Sequence, residues 1–214
     1  MSTEAAGYNP SWTEVILGAI LSVLLGIVLA AAHLVLKPVE TVRELPKEPN
    51  PSVVYYLEGA RDSNRARQAM AKQRAFVEGG TVVLNEDELN ALASPATPKK
   101  ADAEPEQMLT AGSPNFRIRE GVMQIGVPVR VSVAGLDRRV IVQARGDFEK
   151  RGEVFVFSPD ELYLGSCPVQ RLPLVPRFVM KKFLAGANVP EELATAWKNV
   201  SEVKVEGSSL HVTM

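Results

Sequence analysis

From Val15 to Leu36 the sequence carries no Asp, Glu, Lys or Arg and is built mainly of Val, Ile, Leu, Ala and Gly. A helix rises about 1.5 Å per residue, so this run matches a hydrocarbon core roughly 30 Å thick. It predicts a helix that crosses a bilayer, with everything after it working beside a membrane. A signal peptide is the competing reading, because Ala30-Ala31-Ala32 offers an A-x-A cleavage pattern. Two features oppose cleavage. No Lys or Arg precedes Val15, and the run exceeds an h-region of about 7–15 residues. The expectation is therefore a tail over 1–14 and a retained span over 15–36. Tyr8 and Trp12 suit an aromatic belt at the interface, and His33 falls near the far end of the span.

Small residues recur every fourth position along the run, at Gly18, Ser22, Gly26 and Ala30. Such a ridge lets two helix backbones approach closely, so self-association through it is one expectation. A general richness of membrane helices in small residues is the other reading. Orientation is contested. Glu4 and Glu14 precede the span, while Lys37, Arg43 and Lys47 follow it, and the positive-inside rule alone would put the larger part in the cytoplasm.

The 214 residues suffice for one span and one domain. A formal net charge of −1 removes the global basic field expected of a nucleic-acid binder. Cys167 is the single cysteine, so no intramolecular disulfide is available, and it reads as a small buried side chain.

Residues 37–78 read as a linker and a basic helix. Pro46, Pro49 and Pro51 stiffen the first part. A helix follows from Asp62 to Val77, capped by Asp62 or Ser63 and ended by Gly79-Gly80. Ala66, Met70, Gln73 and Val77 form its weak apolar stripe. Arg61, Arg65, Arg67, Lys72 and Arg74 either touch anionic headgroups or make a solvated face.

Residues 79–214 read as one α+β domain. A short strand at 81–84 leads into Asn85-Glu86-Asp87-Glu88-Leu89-Asn90-Ala91-Leu92. Asn85 and Glu88 have capping-box spacing, and Leu84 and Leu89 occupy staple positions. The acidic cluster is thus a helix start rather than a metal site. Residues 94–114 read as a mobile loop. From Met123 to Val133 apolar and polar residues alternate, as in a half-buried strand, and Pro128 suggests an edge or bulge. Further strands follow around Val140–Phe148 and Val154–Phe157, with turns at Gly135-Leu136-Asp137 and Glu149-Lys150-Arg151-Gly152. A short strand at 115–119 joins through Glu120-Gly121. Two amphipathic helices, near 173–183 and 190–200, and a closing hairpin complete the domain, with His211 facing solvent. The class expected is α+β: one transmembrane helix and a curved antiparallel sheet packed on amphipathic helices.

The helix from Asn85 to Leu92, then Leu162-Tyr163-Leu164-Gly165, then Leu172-Pro173-Leu174-Val175-Pro176, resemble the acidic Leu-Asn helix and the "strand, glycine, Leu-Pro" passage of YpmS-like membrane proteins. The likeness covers roughly residues 80–214. It implies an N-terminal anchor, a domain outside the cytoplasm, and a tubular lipid-binding-like fold whose sheet wraps a helix and can leave an apolar groove. It implies no catalytic residues. The chain departs from the pattern in lacking positive charge before the span, and in adding the helix at 62–77 and the loop at 94–114.

There is no Gly-rich phosphate loop, nucleophile elbow or clustered ligand spacing. Asp160-Glu161 follows Ser158-Pro159 and reads as a turn. The expectation is a non-enzymatic single-pass protein without cofactor, metal or nucleic acid. Its domain would bind a lipid or other apolar ligand in a groove near Phe155, Phe157, Phe178 and Phe183. A structural or assembly role in the cell envelope, through protein contacts, is the alternative.

Overall fold

In the computed structural model, residues 11–60, 62–93, 109–133, 135–171 and 190–214 are described. Helix α1 spans Trp12–Leu36. It starts three residues before the uncharged run because Ser11 and Glu14 form a capping box: the Ser11 hydroxyl accepts from the Glu14 amide, and the Glu14 carboxylate accepts from the Ser11 amide. It is long and apolar enough to cross a membrane, and the domain buries none of it fully.

The segment after it is more ordered than a stiff linker. Strand β1 (Glu40–Val42) pairs in parallel with β2 (Tyr55–Leu57). Helix α2 (Ala66–Val77) enters through a 3₁₀ turn at Ser63–Arg65, where the Asp62 carboxylate accepts from the Asn64 amide. It ends at Glu78 and Gly79, the latter at φ +90°. The apolar stripe lies elsewhere than expected. Ala69 and Phe76 are buried, whereas Met70 and Val77 are exposed. Phe76 outweighs Met70 because its larger ring finds an aromatic partner in Trp197, at 6.2 Å between centroids.

Strand β3 (Val82–Asn85) runs directly into α3 (Glu86–Ala93). The capping box is present: the Glu88 amide donates to Asn85 Oδ1 at 2.9 Å, and the Asn85 amide to Glu88 Oε2 at 3.0 Å. Of the expected loop, 94–108 lies outside the described residues, while Leu109–Ala111 is a strand, β4.

The main sheet has six strands: β4, β5 (Asn115–Arg119), β6 (Val122–Val133), β7 (Leu136–Arg151), β8 (Val154–Leu164) and β9 (Cys167–Pro168). All neighbours are antiparallel, in the order β4-β6-β7-β8-β9, with β5 also on β6. The two long strands exceed their sequence reading. Leu136-Asp137 and Glu149–Arg151 belong to β7, so only the tips of both hairpins turn. Ser158-Pro159-Asp160-Glu161 is strand, not turn. A register shift between Arg145 and Gly146 leaves Asp160 unpaired beside Pro159, which stands opposite Gly146, and a Cβ on that glycine would overlap the Ser158 carbonyl. The Glu120-Gly121 turn takes φ +54° and +78°, the positive pair that a tight hairpin requires.

Pro128 sits in an inner strand, and its placement has a local cause. Its carbonyl accepts from the Gly112 amide at 2.7 Å, so its ring nitrogen faces the same side. That side is the gap between β4 and β5, where no ladder donor is needed.

A second sheet, β10 (Glu202–Glu206), β11 (Ser209–Thr213) and β3, packs with α2 and with α4 (Glu191–Trp197) over one end of the main sheet. Ala196 and Val200 are buried there, while His211 lies on the opposite face from Leu210 and Val212. The helix expected near 173–183 lies outside the described residues. Mixed α+β architecture with one candidate transmembrane helix is thus the observed class.

Candidate functional site

One face of the long sheet carries two cores. At the far end, Met123, Ile118 and the partly buried Ile125, Phe148 and Phe155 meet Phe76, Val82, Val203, Leu210 and Val212. At the near end, Val142, Ala144, Leu162, Cys167 and Val169 meet Ala31, Leu34 and Val35 of α1. Phe157 touches both.

The near end is a tight joint. The Ser166 amide donates to the Leu34 carbonyl at 3.1 Å, and the Gly165 amide to the Ile141 carbonyl at 2.9 Å. Gly165 lies at φ +59°, and a Cβ there would run into the Val35 carbonyl. Cys167 is 3% exposed in this core, and burial raises its thiol pKa from the ordinary 9.0.

At the far end lies an open apolar concavity of ≈ 730 Å³. Phe76, Val82, Leu210 and Val212 form its floor, and Leu84, Leu89, Leu92, Leu193 and Trp197 its walls. Lys72 and Lys198 stand at the rim. Leu92 and Pro190, also in the lining, are close to where the described residues stop and resume. The sequence explains this arrangement. Alternation in β3 and β11 sends Val82, Leu84, Leu210 and Val212 to one face, and the helical spacing of Leu193 and Trp197 brings both over it.

Glu86 and Glu88 of the acidic cluster hold one wall in place. Glu88, fully buried, accepts from Lys72 Nζ through Oε2 at 2.8 Å and forms an ion pair with it, Oε1 lying 2.7 Å from the ammonium nitrogen. Glu86 accepts from the Ala60 and Ile118 amides. Asn90 donates to the Ala60 and Phe116 carbonyls, both at 2.8 Å, and accepts from the Phe116 amide. These bonds tie α3 to α2, to the chain after β2 and to β5. Among the described residues no group of three His, Cys, Asp or Glu side chains could hold a metal.

The residues singled out in the sequence divide as follows. Phe155 and Phe157 are half-buried in the core beside the concavity rather than in its lining. Phe148 meets Phe157 edge-on at 5.7 Å, and the Phe155 carbonyl accepts from Trp197 Nε1 at 2.8 Å. Phe178 and Phe183 lie outside the described residues. Gly18, Ser22, Gly26 and Ala30 are exposed on α1, and nothing lies within 4 Å of a Cβ built on either glycine. At about 100° per residue, this ridge faces largely away from Ala31 and Val35, while Leu34, four residues after Ala30, continues it into the docked turn. Sequence reasoning placed an amphipathic helix near 190–200 but missed that its Leu193 and Trp197 complete a concavity with Phe76, Leu84 and Leu89. The alternation of β3 was the available signal.

Comparison with known proteins finds no protein-family model, no curated protein and no solved structure that matches this chain.

Proposed function

We propose that this is a single-pass membrane protein whose domain takes the acyl part of a bilayer lipid into the concavity at the far end of its sheet. The observation that carries the reading is the combination of that apolar recess with an anchor docked on the same sheet face. A ligand site of this kind is an apolar recess with a few polar groups at its edge. Here Lys198 at the rim, exposed, suits a phosphate or carboxylate head while the chain lies against Leu84, Leu193 and Trp197. The packing of Ala31 against the near core supports an anchor that stays attached, since cleavage after Ala32 would remove that contact. The resemblance to YpmS-like proteins agrees with this reading and implies a domain outside the cytoplasm. No catalytic group is assigned.

Trp197 supplies the test. Full-length protein carrying Trp12→Phe is placed in nanodiscs with bromine-labelled acyl chains. Trp197 fluorescence is expected to be quenched, and Ala194→Trp, introduced in a second sample analysed by mass spectrometry, to reduce copurified lipid at least tenfold. Unquenched Trp197 together with lipid-free purified protein overturns the reading. A protein crosslinked stoichiometrically to the concavity would favour the envelope-assembly role instead.

A further inference from the structure

The β6–β7 hairpin extends past the point where α1 docks, and its end is basic. Arg130 and Arg139 stand directly opposite each other in the ladder, on one face of the hairpin. Arg138, paired with Val131, adds a guanidinium on the other face. All three are exposed. Asp137, 3.8 Å from Arg130, is the acidic side chain within the hairpin end and leaves an excess of positive charge. Like charges directly opposite in a ladder cost stability.

Position gives the charge a partner. Along β7, Phe148 lies in the far core, Val142 and Ala144 lie against the end of α1, and Arg138 and Arg139 follow. The helices and second sheet thus occupy one end of the strand pair, the docking joint its middle, and the arginines the other end. The joint with α1 is made at the Gly165–Ser166 turn, which closes the end of β8 nearer the hairpin tip, so with the bulk of the domain in water and α1 in lipid the hairpin end is the end turned to the bilayer. From Val142 to Arg138 the strand advances only about 14 Å. We infer that Arg130, Arg138 and Arg139 engage the phosphates of anionic headgroups in the bilayer that α1 crosses. Arginine forks suit this, because a guanidinium gives two parallel bonds to a phosphate. Two contacts, the helix and the hairpin, would then fix the tilt of the sheet over the membrane. This inference rests on the anchor and not on the apolar concavity.

The test uses the full chain with Cys167→Ala and a fluorophore on Ser132→Cys, in nanodiscs containing a headgroup-labelled quencher. Discs of phosphatidylcholine alone are compared with discs holding phosphatidylglycerol. Quenching is expected to be stronger with the anionic lipid and to weaken with salt. Each Arg→Gln change should shift the engaged-to-free ratio about fivefold. Circular dichroism of the triple variant should match the parent, since all three side chains are exposed. Equal quenching in both discs, or no response to the triple variant, overturns the inference. So does crosslinking of the hairpin to an acidic protein with no lipid dependence.

Discussion

The two ends of the sheet face bury apolar surface in different ways. The far core is filled by rings and closes on itself: Phe76, Phe148, Phe157 and Trp197 contact one another around two small strands. The near core is made of small side chains, and α1 is part of its cover. One end is a self-contained core with a recess beside it. The other depends on the position of α1, so a change in that helix is felt in the sheet. The polar devices differ accordingly. The far end is held by side chains (Glu86, Glu88, Asn90), the near end by the backbone of Gly165 and Ser166.

The most damaging single change on this view is Gly165→Val. It forces a β-branched residue to φ +59° and drives Cβ into the Val35 carbonyl. A loss of roughly 3 kcal/mol or more is expected. Hydrogen exchange should show β8 and β9 opening while β10 and β11 keep their protection. Uniform loss across both ends would break the division.

Asn90→Ala attacks the other end. It strips partners from the Phe116 amide and carbonyl and from the Ala60 carbonyl, inside a side chain that is fully buried. Leaving such groups unpaired costs about 2–3 kcal/mol. Denaturant unfolding measures it, and a change below about 0.5 kcal/mol would mean that water replaces the side chain. Trp197→Phe is milder. It keeps a ring against Phe76 and Phe148 but loses the bond to the Phe155 carbonyl, for about 1 kcal/mol.

Much of this was legible before the fold was seen. The long apolar helix, the Asn85–Glu88 box and the alternation of β6 each rest on a local rule with a short reach, and each stands in the structure. What was misread depends on partners distant in sequence. Pro159 looks like a turn until the shift opposite Gly146 is known. Residues 37–57 look like a linker, because three-residue strands acquire meaning only through the parallel partner. The concavity was only partly legible for the same reason, the alternation of β3 being its one local signal. Phe76, Leu84, Leu193 and Leu210 come from four elements, and no spacing in the chain announces their meeting.

The smallest effect separates the ends by pH. Burial raises the Cys167 thiol above its ordinary 9.0, so the folded state favours the neutral form more than the unfolded chain does. The stabilisation is then complete below that ordinary value and fades as pH climbs through the raised one. The far cluster has no titratable member to respond in the same range. Denaturant midpoints of the parent and of Cys167→Ala should therefore differ by a constant amount from pH 7 up to about 8.5 and converge above about 9. The thiol should also resist alkylation in the fold at pH 8 and react once the near end opens, as in Gly165→Val. A gap that stays constant through pH 10 would show that the near core releases no buried thiol proton, and that its contact with α1 is looser than the Ser166–Leu34 bond implies.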